Sequence, residues 1–359
     1  DSNVQADNII TGVASKGPIR NGTVMVYALT ATGSKGPRLV QTSTDQQGQY
    51  VANLGAYTGP VLIEASGNYL DEASGMIRTI PQEEPLRAAL PAVFGTVSAA
   101  VTPLSELAVQ ETITWTGSAI TAANNSVSTL FNFDILSTLP VEPSVSGMQN
   151  ATIAQKNYTL ILAAISQLAQ TRGQDIGTTI GEISTGMTAE GISAETLADF
   201  NVALTTFIND SVHNQTGIKT LPTELLAIGR TEAVLHIALS GDSNTAIGAV
   251  DFTLNLPDGV TATTTGSLGE LASGVLTITT TIDGEKMVQG RYLVVEASQP
   301  ARVRIQLIST VPFSAGELCN LKLSLPGLLA DTSGMTLAEL TVKDLDGVAL
   351  PGFSVTTSF

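Results

Sequence analysis

The sequence predicts a multidomain α+β protein built as a β-sandwich, a helical bundle and a second β-sandwich. Two observations carry this. A 3.6-residue apolar period is confined to the stretch from Ala100 to Gln215, and both flanks break into short alternating runs separated by Gly, Pro and Asp turns. A third is length: 359 residues exceed what one core usually serves. The expected modules are residues 1–95, 96–228 and 229–359.

In the first module GTVMVYAL, RLVQTSTD, QYVANL and YTGPVLIEASG alternate around turn material such as TATGSKGP and Asp45-Gln-Gln-Gly48, the pattern of a small sandwich. The segment from Gly67 to about residue 100 reads as a transition rich in Pro, Gly and acids. Within it and just before it, Glu64, Asp71 and Glu72 form an oxygen-rich candidate for a cation of the calcium kind; a solvated acidic loop is the alternative.

The helical stretch opens on Thr102-Pro103, a hydroxyl N-cap followed by proline at the first helical position. A second helix is expected from Ser118 to Phe131. A third runs from about Ala151 to Arg172, with Gly173 as its C-cap. A fourth starts at Ser193, where Glu195 suits the first turn. The apolar stripes (Leu160, Ile161, Ala164 and Leu168; Leu197, Phe200, Leu204 and Phe207) are core positions of a bundle of four or five helices.

From about Arg230 seven or more runs of strand pattern follow, among them EAVLHIALSG, AIGAVDFTLNLPDGV, ARVRIQLIST and ELCNLKLSLPG. Asp344-Leu-Asp346-Gly347 opens like a calcium-binding loop, but the twelfth position is Val355 where a glutamate is needed. It reads as a hairpin turn between LTVK and ALPGFSV.

These runs carry resemblances. KGPIRNGTVMVYAL, TDQQGQYVANL and GPVLIEASG resemble the carboxypeptidase-regulatory-like fold, a transthyretin-type sandwich common in secreted bacterial proteins. TPLSELA with NNSVSTLFNFDILSTLPVEP resembles the helical domain that follows such sandwiches in bacterial surface lipoproteins and exoproteins. IGAVDFTLNLPDGV with AGELCNLKLSLPG is similar to the cohesin-like jelly roll. The resemblances imply folds and a bacterial surface setting, and no reaction.

Composition bounds the partners. Charged residues are 13% and hydrophobic residues 43%, with a net charge of −16 and a pI near 4.4. Nucleic acid is set aside, because replacing its counterions needs a basic patch and the tightest basic grouping is Arg302 and Arg304. No apolar run reaches the ~18 residues of a membrane span. The single Cys319 allows no internal disulfide and reads as a buried strand residue. The start at Asp1 reads as a processed, exported chain. Six N-x-S/T sequons occur, at Asn21, Asn124, Asn150, Asn157, Asn209 and Asn214, and Thr261 to Thr265 offers hydroxyls.

No nucleophile–base arrangement is legible. His213 falls at a helix end and His236 alternates with Leu235 and Ile237 in a strand. The expected function is therefore a non-enzymatic subunit of an extracellular filament or surface layer, whose partners are copies of itself and which uses no cofactor other than calcium at the candidate above. Assembly is expected through terminal strands: Val4 and Ile9 at the start, and Phe353, Val355 and Phe359 on one face at the end. The alternative is a monomeric surface adhesin for a glycan or a protein partner. Trp115 is the only tryptophan, so a stacked aromatic platform for sugars is poorly supplied.

Overall fold

The computed structural model describes residues 7–30, 32–188, 191–294, 300–326 and 332–359. It is an α+β chain with several β-sheets and fewer helices, and it divides into two compact units, Asp1–Gly229 and Arg230–Phe359. Among the described residues no helix is long and apolar enough to cross a membrane.

Unit 1 begins with eight strands: β1 (Ile9–Ala14), β2 (Arg20–Leu29), β3 (Lys35–Ser43), β4 (Gln49–Asn53), β5 (Val61–Leu70), β6 (Ile77–Ile80), β7 (Leu86–Leu90) and β8 (Thr96–Val101). β1 lies in the middle of a three-stranded sheet, antiparallel to β4 and parallel to β8. A second sheet runs β3-β2-β5-β6. β7 also pairs with β5, through Val61–Ala65, while β6 takes Gly67–Leu70. The supposed transition segment is thus mostly strand. β1 and β8 approach closely: a side chain at Gly12 would run into the carbonyl oxygen of Ala99, which is why glycine stands there.

The helices follow: α1 (Pro103–Glu111), α2 (Gly117–Phe131), α3 (Val145–Gln149), α4 (Ile153–Arg172), α5 (Ile176–Thr185) and α6 (Ala194–Asn209), with the two-residue strands β9 (Met187–Thr188) and β10 (Gly191–Ile192) before α6. Their ends obey local chemistry. Thr102 caps α1 by accepting from the Leu104 and Ser105 amides, with Pro103 at the first position. α4 is capped by Thr152 and closes on Gly173 in the left-handed region, φ 64°. Ser193 caps α6 through the Thr196 amide.

One hydrophobic core runs through this unit. It joins Ile10, Val26 and Ile63 of the strands to Leu104, Leu160 and Phe207 of the helices. The expected boundary between residues 95 and 96 falls inside it. The physical reason is β8, which the sequence reading placed with the helices but which hydrogen-bonds along the whole of β1. The helices therefore share their core with the sheets and do not form a separate bundle.

Unit 2 starts beside the other expected boundary. Its strands are β11 (Thr231–Ser240), β12 (Ile247–Asn255), β13 (Thr264–Thr265), β14 (Glu270–Leu271), β15 (Leu276–Ile278), β16 (Lys286–Leu293), β17 (Arg302–Phe313), β18 (Gly316–Leu325), β19 (Thr336–Lys343) and β20 (Ser354–Ser358). They form one sheet of order β15-β18-β11-β20 and another of order β13-β14-β16-β17-β12-β19. Leu235, Ile237 and Leu321 of the first and Phe252, Ile305 and Leu307 of the second meet in a single apolar core. The Asp344–Gly347 turn is present, with the Asp344 carboxylate accepting from the Asp346 and Val348 amides. It folds the end of LTVK back on the start of ALPGFSV as a short hairpin: Lys343 bridges Ala349, the Asp344 amide donates to the Val348 carbonyl at 3.0 Å, and the Leu350 amide donates to the Val342 carbonyl at 2.8 Å. Beyond it β19 pairs with β12 and β20 with β11.

Candidate functional site

The most unusual chemistry lies at the end of β1. The chain leaves the strand through Ser15 and Lys16 and turns at Gly17, φ 67°, which sends the Lys16 side chain inward. Its ammonium is fully buried and has three partners: the Glu72 carboxylate at 2.9 Å, the Leu162 carbonyl at 3.1 Å and the hydroxyl of Ser166. Leu162 and Ser166 are one helical turn apart in α4, so they present one face to the lysine. Ser166 donates to the same Glu72 oxygen at 2.7 Å. The ammonium also stands 5.6 Å from the centre of the Tyr69 ring.

Asp71, next to Glu72, turns the other way. Its Oδ1 accepts from the Ser74 amide at 2.9 Å and the Ser74 hydroxyl at 2.7 Å. Burial pushes the Asp71 carboxyl up, but Lys16 and the serine hydrogen bonds outweigh it and hold the group below its ordinary value. For Glu72 burial wins over Lys16 and Ser166, and its carboxyl is raised. A cavity of about 20 Å³ touches Asp71, Ser166, Tyr69 and Arg78.

The three carboxylates expected to gather a cation do not gather. Glu64 pairs with Lys35 at 2.7 Å, Glu72 with Lys16, and Asp71 closes its own turn. Among the described residues no group of three or more His, Cys, Asp or Glu is arranged to hold a metal ion. The residues do not form a calcium site, because each carboxylate already has one oxygen turned to a donor of its own and the three do not converge.

Two larger hollows in unit 1 are lined by described residues. A groove of about 890 Å³ lies over β6, β7 and the Pro81–Pro85 turn, floored by the ends of α1 and α5. Arg87 and Glu106 face each other there with two charged hydrogen bonds, 2.9 and 2.5 Å, and the Glu106 carboxylate also accepts from the Arg87 amide at 3.0 Å. A second groove, about 1060 Å³, is lined about equally by polar and apolar groups: hydroxyls and amides of Thr11, Thr42, Gln47, Gln49 and Gln155 stand beside Val51, Leu139 and Val141.

The assembly candidates fall in paired strands. Ile9 opens β1 and pairs with Asn53 on one side and Thr96 on the other; Val4 lies outside the described residues. Phe353 and Val355 pack on the core of unit 2, and Phe359 is exposed at 43%. Among the described residues β20 pairs as a strand with β11 only, and its Thr357 carbonyl also accepts from the Thr332 hydroxyl at 3.1 Å.

His213 holds Asp210 at 2.7 Å just after α6, and its hydrogen bond keeps the Asp210 carboxyl below its ordinary value. His236 lies on the exposed face of β11, 3.5 Å from Glu317. The two histidines stand in different units. Cys319 is buried in β18, where burial pushes its thiol up to about 12. Of the sequon asparagines, Asn124 and Asn157 are buried, Asn124 donating to the Ala89 carbonyl, and the Asn214 amide is held by Ile208 and Ile218. Asn21, Asn150 and Asn209 are exposed. Trp115 packs against a small apolar cluster with Leu29 and Ile120. Arg304 is tied to Asp251 by hydrogen bonds of 3.0 and 2.6 Å.

Sequence reasoning missed Lys16 and Ser166. The signal available was a lone lysine among small and apolar residues in GVASKGPI and, more weakly, the Ser166-Gln167 pair interrupting the apolar run LAAISQLA.

Comparison with protein-family models, with curated proteins and with solved structures returns no match.

Proposed function

We propose that the chain is a non-enzymatic structural subunit of a bacterial extracellular filament or surface layer, joining copies of itself by β-strand addition. In this reading unit 1 combines a carboxypeptidase-regulatory-like sandwich with its helices, and unit 2 is a cohesin-like sandwich. The observation that carries it is the place of β20 at the end of its sheet, where no second described strand pairs with it. The strand reads Ser-Val-Thr-Thr-Ser, without charge or proline. Edge strands usually carry such guards because unpaired N–H and C=O groups recruit other strands. A neighbour's strand laid there would satisfy them and continue the sheet.

Exchange of the terminal strands is a poorer account. β1 is bonded on both sides and β20 already on one, so each would have to leave its own unit first. Addition beside β20 needs no strand to be released. The test is to place lysine on the exposed face, Thr356→Lys and Ser358→Lys, and to follow particle mass by light scattering and electron microscopy. The wild-type chain is expected to form large particles and the lysine variants single folded copies. Variants that assemble like the wild type would defeat edge addition at β20.

The second groove favours a second reading, a monomeric adhesin. Its hydroxyls and amides, set among apolar side chains, suit the hydroxyls and ring faces of a polysaccharide. A wild-type chain that stays single at high concentration and binds glycans would support it over the first.

A further inference from the structure

Lys16 and Glu72 present an amine and a carboxyl group in contact, closed off from water. The lysine side chain has no exposed surface and the glutamate side chain 3%. Opposite charges taken out of water lose much of their advantage over the neutral amine and acid, since each ion forfeits its hydration. An amine and an acid held at contact distance without competing water are the reactants of an amide bond, with the entropy of bringing them together already met by the fold.

We propose that Lys16 and Glu72 are joined by an intramolecular amide bond formed after folding. The ammonium first passes one proton along its 2.9 Å hydrogen bond to Oε2 of Glu72, leaving a neutral amine and a carboxylic acid. The amine nitrogen then attacks Cδ of Glu72, and the new C–N bond forms. A second proton leaves nitrogen through the Ser166 hydroxyl, which touches both Nζ and Oε2, and reaches the departing oxygen. The Cδ–Oε2 bond breaks and one water is released. Nitrogen gives up two protons, oxygen takes two, and no other reactant is needed. The cavity of about 20 Å³ beside Ser166 and Asp71 has room for about one water, so the product has a place to go.

The link would tie the end of β1 to the turn after β5, with Ser166 of α4 as the proton relay. Two distant points of unit 1 would be fixed covalently in a chain whose single cysteine allows no internal disulfide.

Intact-mass spectrometry of the purified full-length chain tests this directly. The wild-type protein is expected to be one water lighter than its sequence. Tryptic digestion of the denatured chain is expected to give the Lys16 and Glu72 peptides as one branched species, uncut after Lys16. Lys16→Arg is expected at its own sequence mass, and Ser166→Ala to accumulate the link more slowly. A wild-type chain at full sequence mass, cut after Lys16 and yielding separate peptides, overturns the proposal even if neither variant folds. So does a Lys16→Arg chain that is still one water light.

Discussion

The Thr102 hydroxyl meets the Tyr158 hydroxyl at 2.5 Å, inside the core where α1 begins. Tyr158 donates onward to the Ile135 carbonyl at 2.9 Å, so the Thr102 proton points to Tyr158. The same Thr102 oxygen accepts from the first amides of α1. A helix cap, a buried tyrosine and a loop carbonyl thus form one chain of hydrogen bonds. Tyr158→Phe removes its middle and leaves a buried donor and a buried acceptor without partners. The expected loss of stability is about 1–3 kcal/mol, read as a lower urea midpoint for unit 1. An unchanged midpoint would show that the chain of bonds contributes nothing.

Arg87 and Glu106 make the second prediction. The carboxylate is buried, with 8% of its side chain exposed. Arg87→Met strands it, at an expected cost of roughly 1–3 kcal/mol. Replacing both, Arg87→Met with Glu106→Leu, is expected to recover most of that loss, since no charge is then left unpaired. Thermal unfolding of the single and double variants measures the difference. A double variant no better than the single one would contradict the account.

Unit 2 supplies a pH dependence. The Arg304 hydrogen bonds hold the Asp251 carboxyl below its ordinary value, helped by Gln306 and by the charge of Lys343; Glu339 also acts on Arg304. A depressed carboxyl stabilises the fold fully above its unfolded value, near pH ~4. That stability is lost as the pH falls through the lower folded value. The pair is partly exposed, so the effect is at most about 1 kcal/mol. Asp251→Asn is expected to lower stability at pH 7 and to flatten its fall below pH ~4, seen by calorimetry at a series of pH values. Parallel curves for variant and wild type would remove Asp251 from the explanation.

Cys319 gives the fourth. Its thiol is buried and pushed up to about 12, so little thiolate exists at neutral pH. A thiol-labelling reagent is expected to leave the native chain unmodified and to react once in urea. Rapid labelling of the native chain would place the sulfur at the surface.

Legibility in the sequence followed locality. Thr102-Pro103, Ser193 and Gly173 are local signals whose chemistry is complete within a few residues, and the helices start and stop at them. The pairing of β1 with β8 joins Ile9 to Thr96. No local pattern announces a parallel partner that far along the chain, and that one pairing dissolves the expected boundary at residue 95. The carboxylates near residue 72 are legible as acids, but their meaning depends on Lys16 and Ser166, 56 and 94 residues from Glu72. With its counter-charge so far along the chain, Glu72 reads locally as a cation ligand or as part of a solvated acidic loop.

The antiparallel pairing of β11 with β20 has a mechanical consequence. The first strand of unit 2, β11, starts at Thr231, and its last, β20, ends at Ser358. The pair is antiparallel: Ser358 lies opposite His236, and Thr231 lies five residues further along β11 on that same side, so both points are reached from one end of the pair. Tension between them would peel the strands apart like a zipper, rupturing ladder bonds one after another rather than all at once. A pulled subunit would therefore give way first at β20, under modest force. It would bare the flank of β11 while the rest of its sheet still stood, ready to be closed again by the same strand or by a neighbour's.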